Sequence, residues 1–598
     1  MRNASTPALV ATPTMGNVTD HIEQNVAVAP HAVALSVELD GVWTPMTTSE
    51  FRNKVRAVAK GLIADGLQAG ERIAIFSRTR SEWTIADYAI WYAGGITVPI
   101  YETSSAEQVQ WMMQDSHVVA TFFEAQRTLY PFNEIAATVP DMKHSYIFAD
   151  GDLDRLIERG ASITEDELDV RRRNATPDDI ATIIYTSGTT GRPKGCMMTH
   201  GNFMSECDNL IAGIPDIFAR PDASTLLFLP LAHVFGRVIQ MAMIRARVTI
   251  GHTPNPGTLL KDLHSFKPTF LLAVPRVFEK VFNSAGAKAH DASPIKGKIF
   301  DAATNVAIAY SESLDSGGPS LALRAKHSVF DSLVYSKLRE AMGGRVTHAI
   351  SGGASLGTRL GHFYRGLGLT VLEGYGLTET TAGSTLNIPG AIKIGSVGKP
   401  VFGTEVHIAD DGEVLLRGHH IFKGYWNNET ATHDAITHDG WFHSGDVGRL
   451  DDEGYLYITG RKKELIVTSA GKNVAPNVLE DRLRAAPIIS QCVVVGDAKP
   501  YISALVTLDQ EALPGILQSH NIANAPIDEL VNNAEVKAIV QQAVNTANEA
   551  VSNSEAIKKF VILPIDLTIE NGYLTPKLSI RRHVINHDFA SVIDSLYK

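Results

Sequence analysis

Residues Ala181–Gly195 read ATIIYTSGTTGRPKG. The first four are apolar or β-branched, the composition of a short strand. The next eleven, Tyr185–Gly195, hold three glycines, the hydroxyl residues Thr186, Ser187, Thr189 and Thr190, and Lys194. Glycine lets a backbone turn sharply and come close to a ligand. Hydroxyls and free backbone N–H groups donate to phosphate oxygens, and a lysine supplies the countercharge. The order is not that of the P-loop GxxxxGK[ST], because Lys194 is followed by Gly195. A strand that runs into a phosphate-binding loop belongs to a sheet with its ligand at the carboxyl end.

Working outward, the same grammar repeats. Arg72–Ser77 (RIAIFS) is a short apolar run, Ser81–Ala93 is helical, and Ile96–Ile100 (ITVPI) reads as the next strand. Thr225–Pro230 (TLLFLP) and Thr269–Val274 (TFLLAV) are further strands, the second leading into a helix at Pro275. Arg345–Ile350 is followed by a helix near Leu356–Arg365 and a strand near Leu369–Leu372. This alternation predicts an α/β fold, mainly parallel, with helices on both sheet faces. Near residue 404 the pattern becomes short antiparallel strands, with turns at Asp410-Asp411-Gly412 and Asp452-Glu453-Gly454. Beyond Gly460 the chain reads α+β: a strand over Glu464–Ser469, a helix from Pro476, a hairpin of Gln491–Val495 with Tyr501–Leu508, and an amphipathic helix over Asn533–Val551. A chain of 598 residues is too long for one core. The expected division is a flexible tail over 1–20, a large multi-layer domain over 21–459 that includes the small antiparallel region, a hinge over 460–463, and a small mobile domain over 464–598.

Composition excludes several classes. With 54 Lys and Arg against 65 Asp and Glu, the net charge of −11 argues against nucleic-acid binding. Three scattered cysteines, Cys196, Cys207 and Cys492, form neither a disulfide framework nor a zinc pattern, and they point to a reducing, cytoplasmic setting. No apolar run approaches the ~20 residues of a spanning helix. The N-terminal MRNASTPALVATPTMG lacks an apolar core, so a free tail is expected rather than a signal peptide. Monomer and homodimer both suit this composition, as does peripheral membrane contact.

Further motifs follow in order: Pro230–Phe235 (PLAHVF), Ser351–Ala354 (SGGA), Glu373–Thr380 (EGYGLTET), Trp441–Asp446 (WFHSGD) and Gly460–Glu464 (GRKKE). Together with YTSGTTGRPKG they resemble the acyl-adenylate-forming superfamily, which holds acyl-CoA synthetases, luciferases and the adenylation domains of peptide synthetases. The resemblance spans residues ~50–590. It implies that ATP and Mg²⁺ are used to join a carboxylic acid to AMP, and that coenzyme A accepts the acyl group.

The roles it implies are chemically coherent. Attack on the α-phosphate concentrates negative charge and needs preorganised donors and cations. The resemblance gives the phosphates to Thr186, Ser187, Gly188, Thr189, Thr190, Gly191 and Lys194, with Thr378 on the α-phosphate. It gives Mg²⁺ to Glu379, a hard oxygen ligand. The adenine side falls to Gly352, Gly353, Gly374, Tyr375 and Gly376. Asp446 accepts the ribose hydroxyls, Arg461 reaches ribose or phosphate, and His233 stands beside the acid pocket. Lys463 is the hinge residue about which the small domain rotates, and Gly471 and Lys472 lie on the loop that then meets coenzyme A.

One element departs from the pattern. The long-chain fatty acid branch carries LTPTxK on a late loop, its lysine stabilising the adenylation transition state. Here the stretch is Leu574-Thr575-Pro576-Lys577-Leu578-Ser579, with Ser579 at the lysine position. In an extended segment Lys577 shares a face with residue 579, so it is the candidate catalytic lysine. Three stretches resemble the long-chain branch: Tyr101–Ser105 (YETSS), PLAHVF, and Gly460–Glu480 (GRKKELIVTSAGKNVAPNVLE). A fatty acyl-AMP ligase, an aryl- or medium-chain acid ligase and a non-catalytic nucleotide or acyl-CoA binding protein are the alternatives.

Overall fold

The computed structural model describes residues 1–39, 41–186, 192–255, 257–469, 471–575 and 580–598, with all their side chains except those of 130, 131 and 473. Strands that are apolar on both faces need a cover on both sides. Arg72–Phe76, Ile96–Ile100, Val118–Phe123 and Ile180–Thr186 are of this kind, and Ile73, Ile75, Val98, Phe122 and Ile183 are fully buried. They form the centre of a seven-stranded sheet ordered Gly424–Tyr425, Lys194–Thr199, Ile180–Thr186, Ile96–Ile100, Arg72–Phe76, Val118–Phe123, His144–Ile147. The junctions from Ile180–Thr186 out to His144–Ile147 are parallel. Those to Lys194–Thr199 and then to Gly424–Tyr425 are antiparallel.

A second sheet runs Phe270–Ala273, His348–Ser351, Thr370–Tyr375, Thr385–Leu386, Lys399–Pro400, the first three strands parallel and the rest antiparallel. A third joins Ser224–Leu227 and Thr249–His252 to the hairpin Val33–Leu39/Val42–Thr47.

A buried ion pair ties these layers together. Asp87, on helix Ser81–Tyr92, meets Arg237, on helix Val234–Ala246, at 2.6 Å, and both side chains are 0% exposed. Arg237 also donates to Thr182 Oγ1 at 2.6 Å, and Gln240 donates to Asp87 at 3.1 Å. The guanidinium lies 5.3 Å from the Trp83 ring and 5.2 Å from that of Trp91.

The antiparallel region is a five-stranded sheet: Asn3–Thr6, Thr404–Ile408, Glu413–Gly418, Phe442–Leu450, Leu456–Arg461. Its first strand corrects the expected flexible tail. Asn3–Thr6 pairs with Thr404–Ile408, and the Asn209 side chain accepts from the N–H groups of Leu9 and Val10 at 2.8 and 3.1 Å. Four polar or small residues carry no readable period; the open edge of Thr404–Ile408 recruits them by main-chain pairing.

After Arg461, Lys462–Glu464 form a 3₁₀ turn. The strand expected over Glu464–Ser469 shortens to Ile466–Val467, paired with Asn473–Val474. Asp497 takes the Val467 N–H at 3.1 Å and the Lys472 carbonyl takes that of Thr468 at 3.0 Å, which closes a tight hairpin. Helix Pro476–Arg484 follows, then antiparallel Ile489–Val495 and Ile502–Leu508, with Ile557–Ile562 added in parallel. Helix Ala534–Asn548 starts from Asn533, whose side chain accepts from the N–H groups of Glu535 and Val536. Leu479, Leu483, Cys492, Val506, Val536 and Val540 belong to the separate core of this part. Among the described residues no helix is long and apolar enough to cross a membrane.

Removing one member of a buried pair strands the other. Asp87→Ala should lower the unfolding free energy by about 3–5 kcal/mol, and Asp87→Ala with Arg237→Leu should lower it less. Urea denaturation reads both; a double variant as unstable as the single one would show that the ion pair is not the cause.

Candidate active site

Both flanks of the Gly/Ser/Thr loop are anchored. The Tyr185 hydroxyl donates to Asp115 at 2.6 Å, and Trp111 Nε1 donates to the Pro193 carbonyl at 2.9 Å. Helix Ala106–Asp115 therefore holds Tyr185 and Pro193, the residues that flank the loop. Thr186 Oγ1 lies 3.9 Å from Cys196 Sγ. Lys194 is exposed, its Nζ 4.9 Å from the centre of the Tyr425 ring. Ser187, Gly188, Thr189, Thr190 and Gly191 lie outside the described residues, as does Lys577.

Strand Thr370–Tyr375 delivers the next group, and a 3₁₀ turn at Thr378–Thr380 follows it. Gly376 is required here: a Cβ would stand 1.7 Å from the Ala382 carbonyl. The close approach comes from a strained return, with Thr381 at φ 48° and Ala382 at φ 77°. Such left-handed residues cost about 1–3 kcal/mol each. The Thr381 hydroxyl, donating to the His420 carbonyl at 2.7 Å, helps to hold the strain. The turn buries Thr378 and leaves Glu379 half-buried, its carboxylate accepting from the Tyr425 hydroxyl at 3.0 Å. Tyr425 sits on the strand paired with Cys196–Met197, so one residue links Lys194 to Glu379. Gly352 packs against the Gly374 carbonyl, 3.3 Å from where its Cβ would be, and Gly353 has φ 84°. The Glu373 side chain accepts from the Leu356 N–H at 2.9 Å and fixes this loop to the strand.

Asp446 and Arg461 face each other across antiparallel strands. Asp446 is 4% exposed; its carboxylate accepts from the Tyr375 hydroxyl at 2.6 Å and from Arg461 Nε at 3.2 Å. Burial pushes the Asp446 carboxyl above its ordinary range, against the pull of Arg461 and Tyr375. Burial and the neighbouring Asp446 hold the Tyr375 hydroxyl protonated, so it stays a donor. The approach to Asp446 is fixed by Glu413, which accepts from the Gly445 N–H at 3.0 Å, from Lys462 at 3.0 Å, and pairs with His443 at 3.2 Å.

The structure therefore brings together Lys194, Gly352, Gly374, Tyr375, Gly376, Thr378, Glu379, Asp446 and Arg461. His233 is half-buried, and its Nδ1 accepts from the Phe235 N–H at 3.0 Å, capping helix Val234–Ala246. Lys463 is exposed on its 3₁₀ turn. Gly471 turns the small hairpin at φ 77°. Lys472 is engaged by Glu555 at 3.2 Å rather than standing free for a ligand. Sequence reasoning missed Tyr425, Glu413 and Glu373. Glu373 begins the quoted EGYG stretch, and a carboxylate inside an otherwise apolar strand end is the signal that was available for it.

No group of three or more His, Cys, Asp or Glu side chains among the described residues could hold a metal ion. An Mg²⁺ ion held chiefly by water and phosphate oxygens needs only one or two carboxylates, and Glu379 is placed to be one. Asp446 with Tyr375 and Arg461 suits vicinal hydroxyls, and the Lys194 ammonium suits phosphate.

Residues 22–426 match the family model described as AMP-binding enzyme, and residues 463–598 match AMP-binding enzyme C-terminal domain. The chain is 50% identical to Long-chain-fatty-acid--CoA ligase FadD15 of Mycobacterium bovis, over 100% of both chains. It is 32% identical to Long-chain-fatty-acid--CoA ligase ACSBG2 of Xenopus laevis, over 95% of this chain and 82% of that one. Its fold is similar to that of the anthranilate CoA ligase AuaEII in complex with anthranoyl-AMP, with a TM-score of 0.73 at 19% identity, covering 97% and 99% of the two chains.

Glu373 gives the site a pH-dependent stability. Burial, with Asp481 adding, pushes its carboxyl up to about 7, against the Leu356 N–H. The folded state thus keeps a proton that the unfolded chain releases. The stability is present in full below about pH 4.5 and is lost as pH rises through about 7, a change of about 3 kcal/mol. Glu373→Gln should flatten the dependence of Tm on pH between 5 and 8, leaving the smaller slope of Asp481, which burial pushes up to about 6. An unaltered slope would mean that Glu373 is ionised throughout.

Proposed function

Because this chain belongs to the AMP-binding enzyme family, we propose that it activates a long-chain fatty acid with ATP as the acyl-adenylate, releasing pyrophosphate, and then passes the acyl group to coenzyme A, releasing AMP. The observation that carries this reading is the 50% identity, along the whole of both chains, to Long-chain-fatty-acid--CoA ligase FadD15.

The side chains of the site divide the work. The acid's carboxylate attacks the α-phosphate, and the leaving group is pyrophosphate. Lys194 and the loop Thr186–Gly191 hold the phosphates; Thr378 donates to the α-phosphate, where charge accumulates. Bound Mg²⁺ would supply positive charge across the phosphates, with Glu379 as its protein ligand and the Tyr425 hydroxyl fixing that carboxylate. Tyr375 presents its ring to adenine and its hydroxyl to Asp446, which accepts the ribose hydroxyls next to Arg461. His233 and the PLAHVF segment line the acid side.

The second half-reaction calls for a new surface, since the thiol attacks the acyl carbonyl after pyrophosphate has left. Residues 460–463 form the hinge between a large domain over 21–459 and a small one over 464–598, with Lys463 exposed at the pivot. Rotation brings the hairpin with Gly471 and Lys472 toward coenzyme A, and Lys472 meets it by exchanging its pairing with Glu555. The protein acts in the cytoplasm, and its lipid substrate brings it into peripheral contact with membranes.

Two tests separate the roles. Glu379→Gln should lower pyrophosphate release by roughly 10²-fold, the scale of one lost charge-stabilising group; full activity at every Mg²⁺ concentration would remove Glu379 from the site. Lys577→Ala should lower adenylation by roughly 10²–10³-fold while leaving the reaction of preformed acyl-adenylate with coenzyme A intact, and Ser579→Lys should be harmless. Unchanged adenylation in Lys577→Ala would pass the role to another residue such as Arg581.

A further inference from the structure

Helix His200–Gly213 presents Asn202, Glu206, Leu210 and Gly213 along one face, at helical spacings. That face is turned toward the segment that follows the Glu379 turn. Asn202 Nδ2 donates to the carbonyls of His419 and Ile421 at 2.7 and 3.0 Å. Gly213 packs on the Phe402 ring. Between them the Glu206 carboxylate points at Gly383, its Oε1 2.7 Å from where a Cβ on that glycine would be. Gly383 directly follows Ala382, whose carbonyl fills the notch left by Gly376.

Glu206 differs from the other buried carboxyls in having no bonding partner among the described residues; Glu373, which also lacks a cation, accepts from the Leu356 N–H. Asp87 has Arg237, Glu124 has Arg78, Glu413 has Lys462, and Glu480 has Arg582. Glu206 is 7% exposed and has no hydrogen bond or ion pair to any described residue. With no cation near, burial alone raises its carboxyl well above the ordinary range, so it is held as the neutral acid. A neutral carboxyl both donates, through O–H, and accepts, through C=O. One turn further along the helix, Leu210 lines an apolar cavity of about 130 Å³ with Ile214, Leu386, Val401 and Phe402. This cavity, which Thr6 and Lys399 also line, begins one helical turn beyond Glu206.

We propose that Glu206 is a specificity-determining residue of the acid pocket, its carboxyl hydrogen-bonding a hydroxyl carried by the acyl chain close to the reacting carboxyl group. The assignment rests on the acid–thiol ligase reading given above. A hydroxyl is the substituent that uses both capacities of the neutral acid, accepting its proton and donating to its carbonyl oxygen. Gly383 is part of the device, because any side chain there displaces the Glu206 carboxyl.

The test compares kcat/KM for a saturated fatty acid with kcat/KM for acids of the same length hydroxylated at each carbon from the second to the sixth. In the wild type at least one hydroxy acid should be preferred. Glu206→Leu should lower that preference roughly tenfold or more, the worth of one buried hydrogen bond. Glu206→Gln, which can still donate and accept, should retain it, and Gly383→Ala should reduce it as Leu does. A wild type that favours no hydroxy acid would mean that Glu206 holds only solvent and would overturn the proposal. A preference that survives Glu206→Leu, or is lost equally in Glu206→Gln, would overturn it too. Absence of thioester with every acid would sink the ligase reading instead; calorimetric binding of the same acids then reads the same preference.

Discussion

The Arg237 guanidinium has no exposed surface, and it is the point on which the site's geometry hangs. A cation in a dry interior must be met by an anion and by fixed acceptors, and here three elements meet: Arg237 on one helix reaches Asp87 on a second and Thr182 on a strand, while Gln240, on Arg237's own helix, donates to Asp87. The arrangement admits one relative position of the three. Thr182 lies four residues before Thr186, so the pair sets the height at which the Gly/Ser/Thr loop leaves the sheet. The strand after that loop carries Lys194 and is bonded in turn to Gly424–Tyr425. Tyr425 then reaches Glu379. Lys194 and the Glu379 carboxylate are therefore held in register by main-chain ladders that start from one buried charge.

The Asp446 cluster works by an opposite device. Asp446 is buried but keeps two partners, the Tyr375 hydroxyl and Arg461, and its approach is braced from behind by Glu413. A carboxylate that is already desolvated and oriented needs little reorganisation when hydroxyls arrive. The strained Thr381 and Ala382 serve the same end, because they let the chain double back against Gly376 and fix the direction of Glu379.

Much of this was legible in the sequence, and the reason is that its signals are local. YTSGTTGRPKG, EGYGLTET and WFHSGD each place their chemistry within a few residues of a strand end, where glycine and hydroxyl content is diagnostic. The strands named in the sequence up to residue 372 each fall on a strand of the fold, displaced by at most three residues at an end, whereas Val33–Leu39, Val118–Phe123 and Thr249–His252 were not singled out. What escaped is what depends on distant partners. Tyr425 reads as one more aromatic until its strand is found beside Cys196–Met197. Glu413 is an ordinary strand residue until Lys462, His443 and Gly445 converge on it. The N-terminal strand, with no hydrophobic period of its own, was read as a free tail, since its structure is dictated by an edge formed elsewhere. The family resemblance set the expected positions of Asp446 and Glu379; their partners came from geometry.

That first strand has a consequence for how the chain is made. Thr6 bonds to Pro400 across 394 residues of sequence. A ribosome adding about 5–20 residues per second reaches the partner strand only after roughly 20–80 s. Until then Asn3–Thr6 has no strand to pair with, and the five-stranded sheet cannot close. Pairing of the amino terminus is thus timed by the arrival of Thr404–Ile408 at the tunnel exit, and the sheet is complete only once Leu456–Arg461 has followed. Nascent chains halted before that point should keep a protease-accessible amino terminus however well their parallel sheet has formed.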